Sequence, residues 1–390
     1  MGINMGENKR IAFIYPLNEQ LTIHPCILSC LMSLARSGFY IDVFTIYKNN
    51  EMNNDFEDRI NIYNVKGYYG KNAALFLFST LRLIWCISCV ILCKKIKYRW
   101  LVGVQIGGLV AATIISFIFR IPCVYFCLEL YFLKELKRST WKLGKNIEKI
   151  FSRLCKYIIT QDKWRARLFA VENRVPLRNL IYLPNSIEGT YLRTGENYLR
   201  KQYGIDSNKK IILTMASSFF GYSQYDKILN ESLSWPSDWL LIIHVGKRIM
   251  PEEIMIKIKN NKRIILSDRY IPYNILGDLY SSADAGLVLY ENGNYPAGGI
   301  NLTYIGFSSG QFNWFMRCGV PCITSEQPTF RWIFNKYKYG MLIESRKGIT
   351  ESIERILSDH MSYRTETLRL FYDHLNFTCY YKNFERHLLG

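Results

Sequence analysis

Twice along this chain, short β-branched segments alternate with helical patterns, and that rhythm restricts the fold more than any single residue does. "RIAFIYP" reads as a strand, "ILSCLMSLARSG" as a helix closed by Gly38, and "YIDVFTIY" as the next strand. "NIYNV", "WLVGVQ", "PCVYFCLEL" and "YIITQD" continue the series, with helices near 73–96, 107–119, 141–156 and 163–172. The polar stretch "IYLPNSIEGTYLRTGENYLRKQYGIDSNKK" interrupts it. A second series starts at Lys210: "IILTMASS", "WLLIIHVG", "RIILSDRYI", "DAGLVLY", "PCITSEQP" and "GMLIES". Strands separated by helices imply right-handed crossovers and parallel sheets covered on both faces. The expected architecture is α/β, with two doubly wound Rossmann-like domains, 1–190 and 205–370, facing each other across a cleft. A C-terminal helix, 371–390, should pack back on the first domain. Ligands of such sheets bind outside the carboxyl ends of the strands.

A length of 390 residues accommodates two cores, and the net charge of +18 favours anionic partners. Basic clusters such as "CKKIKYR" and "LKELKRSTWKLGK" lie beside very apolar segments, a pairing that fits an anionic membrane surface better than nucleic acid. No nucleic-acid reader motif accompanies the charge, so nucleic acid is not expected as a partner. The run Ala74–Cys93 is long enough to span a bilayer, but Arg82 sits near its centre. Strand-like segments on both sides of it should also join one sheet, so a buried or membrane-surface helix is expected. No apolar leader precedes the first strand, and the expected location is the cytoplasmic face of a membrane. The eleven cysteines, several in helical apolar runs (Cys86, Cys89, Cys93), read as reduced, buried thiols. The five histidines form no cluster with them, so no metal site is expected.

One stretch carries chemistry of its own. In "GFSSGQFNWFMRCGVPCI", Ser308, Ser309 and Gly310 precede a helix-spaced run from Gln311, an arrangement that offers backbone N–H groups to a phosphate. Ser309 as a plain N-cap explains the same residues. Together with "YIITQDKWRARLFAVENRVPLRNLIYLPNS" and "RIILSDRYIPYNILGDLYSSADAGLVLY", this stretch resembles, in order and spacing, the GT-B glycosyltransferases, and among them the retaining enzymes often called family four. The likeness covers nearly the whole chain. It implies transfer of a sugar from a nucleotide diphosphate to an acceptor, with no metal and no cofactor beyond the nucleotide-sugar co-substrate. A helix N-terminus and cationic side chains then stabilise the departing diphosphate.

The resemblance assigns residues and also exposes departures. Ser308, Ser309, Gly310 and Gln311 fall on the diphosphate signature, yet Gln311 stands where that family has lysine. Lys247 and Arg248 after "IIHVG" are candidates for the missing charge, or else solvated loop residues. The two family glutamates fall on Gly306 and Trp314, neither of them acidic. Tyr290, Glu291 and Asn294 are the substitutes proposed for sugar or ribose contact. Ser218, Gly221, His244, Arg269 and Tyr270, after the first three strands of the second series, complete the expected donor site. In the first domain Glu129 lies between Leu128 and Leu130, where a carboxylate costs free energy unless paired or protonated. It reads as an acceptor-side base, or as an ion-pair partner of the Lys134–Arg138 group. His24 and Asp162 are the expected acceptor contacts, with an N-cap role explaining Asp162 equally well. Asn185 sits at a backbone-bonding turn. The apolar and basic surface adds a lipid-linked or glycan acceptor to the expected partners. The competing reading is a GT-B scaffold that has lost transfer and binds glycans or a partner subunit.

Overall fold

The computed structural model describes residues 9–46, 58–67, 73–190, 197–215, 224–246, 250–291, 299–343 and 348–390. The chain divides into two compact units, Met1–Glu188 with Phe377–Gly390, and Gly189–Asn376.

The first unit is built on strands β1 (Arg10–Tyr15), β2 (Tyr40–Thr45), β3 (Ile60–Asn64), β4 (Trp100–Val104), β5 (Cys123–Phe126), β6 (Tyr157–Thr160) and β7 (Leu180–Tyr182). They pair in parallel in the order β3-β2-β1-β4-β5-β6-β7. The order reverses between β1 and β4, the position where doubly wound sheets open a crevice. Helices α1 (Pro25–Arg36), α2 (Ala73–Cys93), α3 (Gln105–Phe119), α4 (Ser139–Phe151) and α5 (Lys163–Asn173) connect the strands. Both faces of the central strands are covered, so β1 and β4 read as continuous apolar runs and not as alternating ones. At β4 the contact with its helix is backbone to backbone. A Cβ on Gly103 would lie 2.3 Å from the Gly108 carbonyl oxygen, so only glycine fits there.

The chain returns to this unit through the helix Phe377–Leu389, whose Phe377, Tyr381, Phe384 and Leu388 join the core of α1 and the central strands. Trp100 Nε1 donates to the Leu388 carbonyl at 2.9 Å, and Tyr381 Oη donates to Ser37 Oγ at 3.0 Å.

The second unit holds β8 (Lys210–Met215), β9 (Trp239–His244), β10 (Ile264–Ser267), β11 (Ala285–Val288), β12 (Cys322–Ser325) and β13 (Gly340–Ile343). All are parallel, in the order β10-β9-β8-β11-β12-β13, with the reversal between β8 and β11. Both sheets therefore follow the same winding rule, and each gathers its strand C-termini on one edge.

The expectation of buried cysteines fails on α2. All eleven thiols are free, but Cys93 is exposed and Cys86 and Cys89 are half-buried, because α2 turns only one flank to its unit.

Candidate functional site

In the second unit, the strand ends converge on one hydrogen-bonded cluster. β11 runs on through Leu289 to Tyr290, whose backbone N–H donates to Ser325 Oγ at the end of β12 (2.8 Å). Ser325 Oγ donates to Gln327 Oε1 (2.7 Å), and Gln327 Nε2 returns to the Tyr290 carbonyl (3.0 Å). The Tyr290 hydroxyl lies 2.8 Å from Ser309 Oγ and accepts from Gln311 Nε2 at 3.3 Å. Ser309 caps the helix Gly310–Arg317, its Oγ accepting from the Phe312 N–H at 3.2 Å. Every side chain in this cluster is buried, and each hydrogen bond contributes about 1 kcal/mol net.

The helix start offers its donors one residue later than the sequence suggests. The Ser308 N–H is taken by the Ile305 carbonyl at 2.7 Å, and the Ser309 N–H by those of Ile305 and Gly306 at 3.0 and 3.2 Å. Among the described residues, the Gly310 N–H meets no acceptor, and it sits at the positive end of the helix dipole. Gln311, in the position of the family lysine, is turned inward onto Tyr290.

Packing explains the two missing acidic positions. A Cβ on Gly306 would lie 2.8 Å from Thr329 Oγ1 and 2.9 Å from Thr329 Cβ, and the Gly306 N–H already donates to that hydroxyl at 3.0 Å. No longer side chain fits there without moving Thr329. Trp314 stacks on Tyr280 (ring centroids 5.5 Å apart, 7° between planes) and meets Tyr273 edge-on at 5.8 Å. It is an aromatic core residue at that position.

Other donor-side candidates fall around the same sheet edge. His244 ends β9, buried, with Nδ1 3.0 Å from Ser267 Oγ at the end of the neighbouring β10. Arg269 is held by Gln202, whose carboxamide oxygen accepts from Nε at 3.1 Å and Nη1 at 2.9 Å. Tyr270 is exposed. Glu291 is exposed beyond β11; burial first, and the carboxylates of Asp226, Glu253 and Glu291 after it, push the Tyr225 hydroxyl up. Ser218, Gly221, Lys247, Arg248 and Asn294 lie outside the described residues.

In the first unit, the expected buried carboxylate is not buried. Leu128 and Leu130 are buried while the Glu129 side chain between them is 44% exposed, with Arg165 Nη2 at 4.0 Å. Arg165 was not singled out from the sequence. It is 1% exposed, and it ties the segment after β5 to the segment after β6 through the Leu128 carbonyl and Gln161 Oε1, both at 2.9 Å. Asp162 is the N-cap of α5, one oxygen accepting from the N–H groups of Trp164 (2.8 Å) and Arg165 (2.9 Å). Its other oxygen is buried with no hydrogen-bond partner among the described residues, and desolvation holds the carboxyl above the usual carboxylate range. His24 packs edge-on against Tyr15 at 6.2 Å, with Nε2 3.3 Å from a Glu19 carboxylate oxygen. Asn185 Oδ1 accepts from the Cys26 N–H at 3.3 Å and so serves the start of α1. A further residue the sequence did not reveal is Gln105, buried at the end of β4 with φ of 53°, a left-handed conformation unusual outside glycine. Among the described residues, no three His, Cys, Asp or Glu side chains gather as a metal requires.

No protein-family model matches this chain, and no curated protein matches it in sequence. Solved structures do match it in fold. HepE of Anabaena, in complex with UDP and glucose, has a TM-score of 0.73 at 11% identity, over 98% of this chain and 99% of that one. Sucrose-phosphate synthase from Thermosynechococcus elongatus has a TM-score of 0.71 at 15% identity, over 98% and 99%. WaaG, a glycosyltransferase involved in lipopolysaccharide biosynthesis, has a TM-score of 0.63 at 14% identity, over 96% and 98%. The two sheets and their winding are those of the GT-B fold, and this chain has that fold along nearly its whole length.

Proposed function

We propose that this chain is a glycosyltransferase that moves a sugar from a nucleotide diphosphate to a lipid-linked or glycan acceptor in surface-polysaccharide synthesis, without a metal and with retention of anomeric configuration. The observation that carries the reading is the start of the helix Gly310–Arg317. The Gly310 N–H, which meets no acceptor among the described residues, stands there beside the buried Ser309–Tyr290–Gln311 cluster at the C-terminal edge of a doubly wound sheet. Such an edge is where ligands of this fold bind, and a helix N-terminus stabilises the negative charge that develops on a leaving diphosphate. HepE, which shares the fold, is described with UDP and with UDP-glucose.

In this reading Gly310 and Ser309 hold the diphosphate and Tyr290 fixes Ser309. Lys247 supplies the charge that Gln311 lacks. Glu291 contacts sugar or ribose. Glu129, with Arg165 Nη2 at 4.0 Å, and His24 act on the acceptor side. Incubating the chain with a panel of UDP-, GDP- and CMP-sugars and mixed membrane glycolipids, followed by mass spectrometry, tests transfer. Proton NMR of the new linkage tests its anomeric configuration. A mass increment of one sugar that persists with EDTA is expected; no increment with any donor overturns the reading.

The scaffold reading is favoured by one observation, the filling of both acidic positions by Thr329 packing and by the Trp314 stack. It predicts nucleotide or glycan binding with no transfer in the same panel.

A further inference from the structure

We infer that the outer face of α2, with the ends of α3 and α4 beside it, is a docking surface for an anionic lipid bilayer, on which α2 lies in the plane of the headgroups. The face is independent of the transfer reading and consists of exposed apolar side chains and cations.

α2 is long and apolar enough to cross a membrane, but the fold forbids crossing. β3 before it and β4 after it belong to one sheet, so both ends of the helix stay on one side. Ser79, Thr80, Leu83, Ile87 and Val90, recurring at helical spacing, are buried against the unit. The opposite flank carries Phe78, Leu81, Trp85 and Leu92 at the same spacing, and here a surface helix ordinarily places charges. Trp85 is 71% exposed.

α3 packs between α2 and α4 and ends in Phe117, 88% exposed, and Ile118. α4 adds exposed Leu143 and Ile150. Apolar exposure of this extent on three neighbouring helices marks an interaction surface.

Charge identifies the occupant. Residues 73–156 hold fourteen Lys and Arg against three Glu, a net +11 out of the chain's +18. Lys94, Lys95 and Lys97 follow α2 directly and are exposed, and Arg120 follows the exposed Phe117 and Ile118. Arg82 lies over the Phe78 ring at 5.1 Å, its stem covering apolar surface while its head reaches the Lys66 carbonyl. Aromatic and aliphatic side chains ringed by cations match the acyl boundary and phosphate layer of a membrane. A second copy docked through this face would set the exposed Lys94, Lys95, Lys97 and Arg120 against like charge.

The test is co-sedimentation of the full chain with phosphatidylcholine vesicles, with and without phosphatidylglycerol, at low and high salt. The expected result is binding that requires phosphatidylglycerol and weakens with salt. Lys94, Lys95 and Lys97 changed together to Gln should weaken it about a hundredfold, at roughly a factor of five per cation. Phe78→Glu with Trp85→Glu should abolish it. All five positions are exposed, so thermal melting and nucleotide binding should stay as in the parent chain. Three results overturn the inference: no vesicle binding, equal binding to neutral vesicles, or a dimer in sedimentation velocity that Trp85→Glu dissolves while vesicles are ignored.

Discussion

The buried hydroxyl pair at the start of the helix Gly310–Arg317 makes a quantitative prediction through the variants Ser309→Ala, Tyr290→Phe and their combination. Ser309 Oγ serves two partners, the Phe312 N–H and the Tyr290 hydroxyl. Losing an N-cap of this kind costs about 1 kcal/mol. Losing the bond to Tyr290 costs about 1 kcal/mol more, because that hydroxyl loses a partner in a buried setting. Ser309→Ala should therefore destabilise by about 2 kcal/mol. Tyr290→Phe breaks the same shared bond and the one from Gln311 Nε2, again costing about 2 kcal/mol. The double variant removes the shared bond once, so its effect should fall short of the sum by about 1 kcal/mol. Urea unfolding of the four full-length proteins, followed by tryptophan fluorescence, measures the cycle. Coupling of zero, with both single variants costing less than about 0.5 kcal/mol, would show that the hydroxyls do not meet and would remove the structural basis of the diphosphate site.

Two further predictions follow from packing and burial. Asp162 caps α5 with one oxygen, and burial raises its pKa, so folding favours the protonated form; its contribution is greatest at acid pH and is lost as pH rises through the folded-state value. Asp162→Asn keeps the cap and carries no charge, so its melting temperature should exceed the parent's at pH 7, with the gap closing towards pH 3; a gap that widens in acid contradicts this. Gly306→Ala pushes a methyl group into Thr329 Oγ1 and Cβ and should cost about 1–3 kcal/mol. A neutral Gly306→Ala in thermal melts would mean that the position has room for an acidic side chain after all.

Strand and helix order could be read from the chain because alternation of burial writes itself into side-chain type. The runs "RIAFIY" (β1) and "WLLIIH" (β9) are interior strands with little freedom to be anything else. The first sheet, the second sheet and the long apolar helix were all legible on that ground. Details past the strand ends were not. Glu129 was expected to be buried because its neighbours are leucines, but the chain beyond β5 alternates, and one step turns the carboxylate outward. Its partner Arg165 was hidden in "DKWRAR", where a helix cap and a run of basic residues disguise a buried guanidinium. Ser325 and Gln327 bond Tyr290 across 35 and 37 residues, a relation no local pattern encodes. The occupied amides of Ser308 and Ser309 follow from a single tight turn that precedes the helix, and composition does not distinguish it from an open loop.

Isothermal titration of the full-length chain with a nucleoside diphosphate, the matching monophosphate and the nucleoside is the most direct test of the claim that this helix start holds a diphosphate. Affinity should rise stepwise with each phosphate for at least one base among uridine, guanosine and cytidine, and Ser309→Ala should lower the diphosphate affinity about tenfold, the worth of one hydrogen bond to a charged group, while leaving the nucleoside unchanged. Equal affinity for nucleoside and diphosphate, or no binding of any diphosphate, would contradict the account.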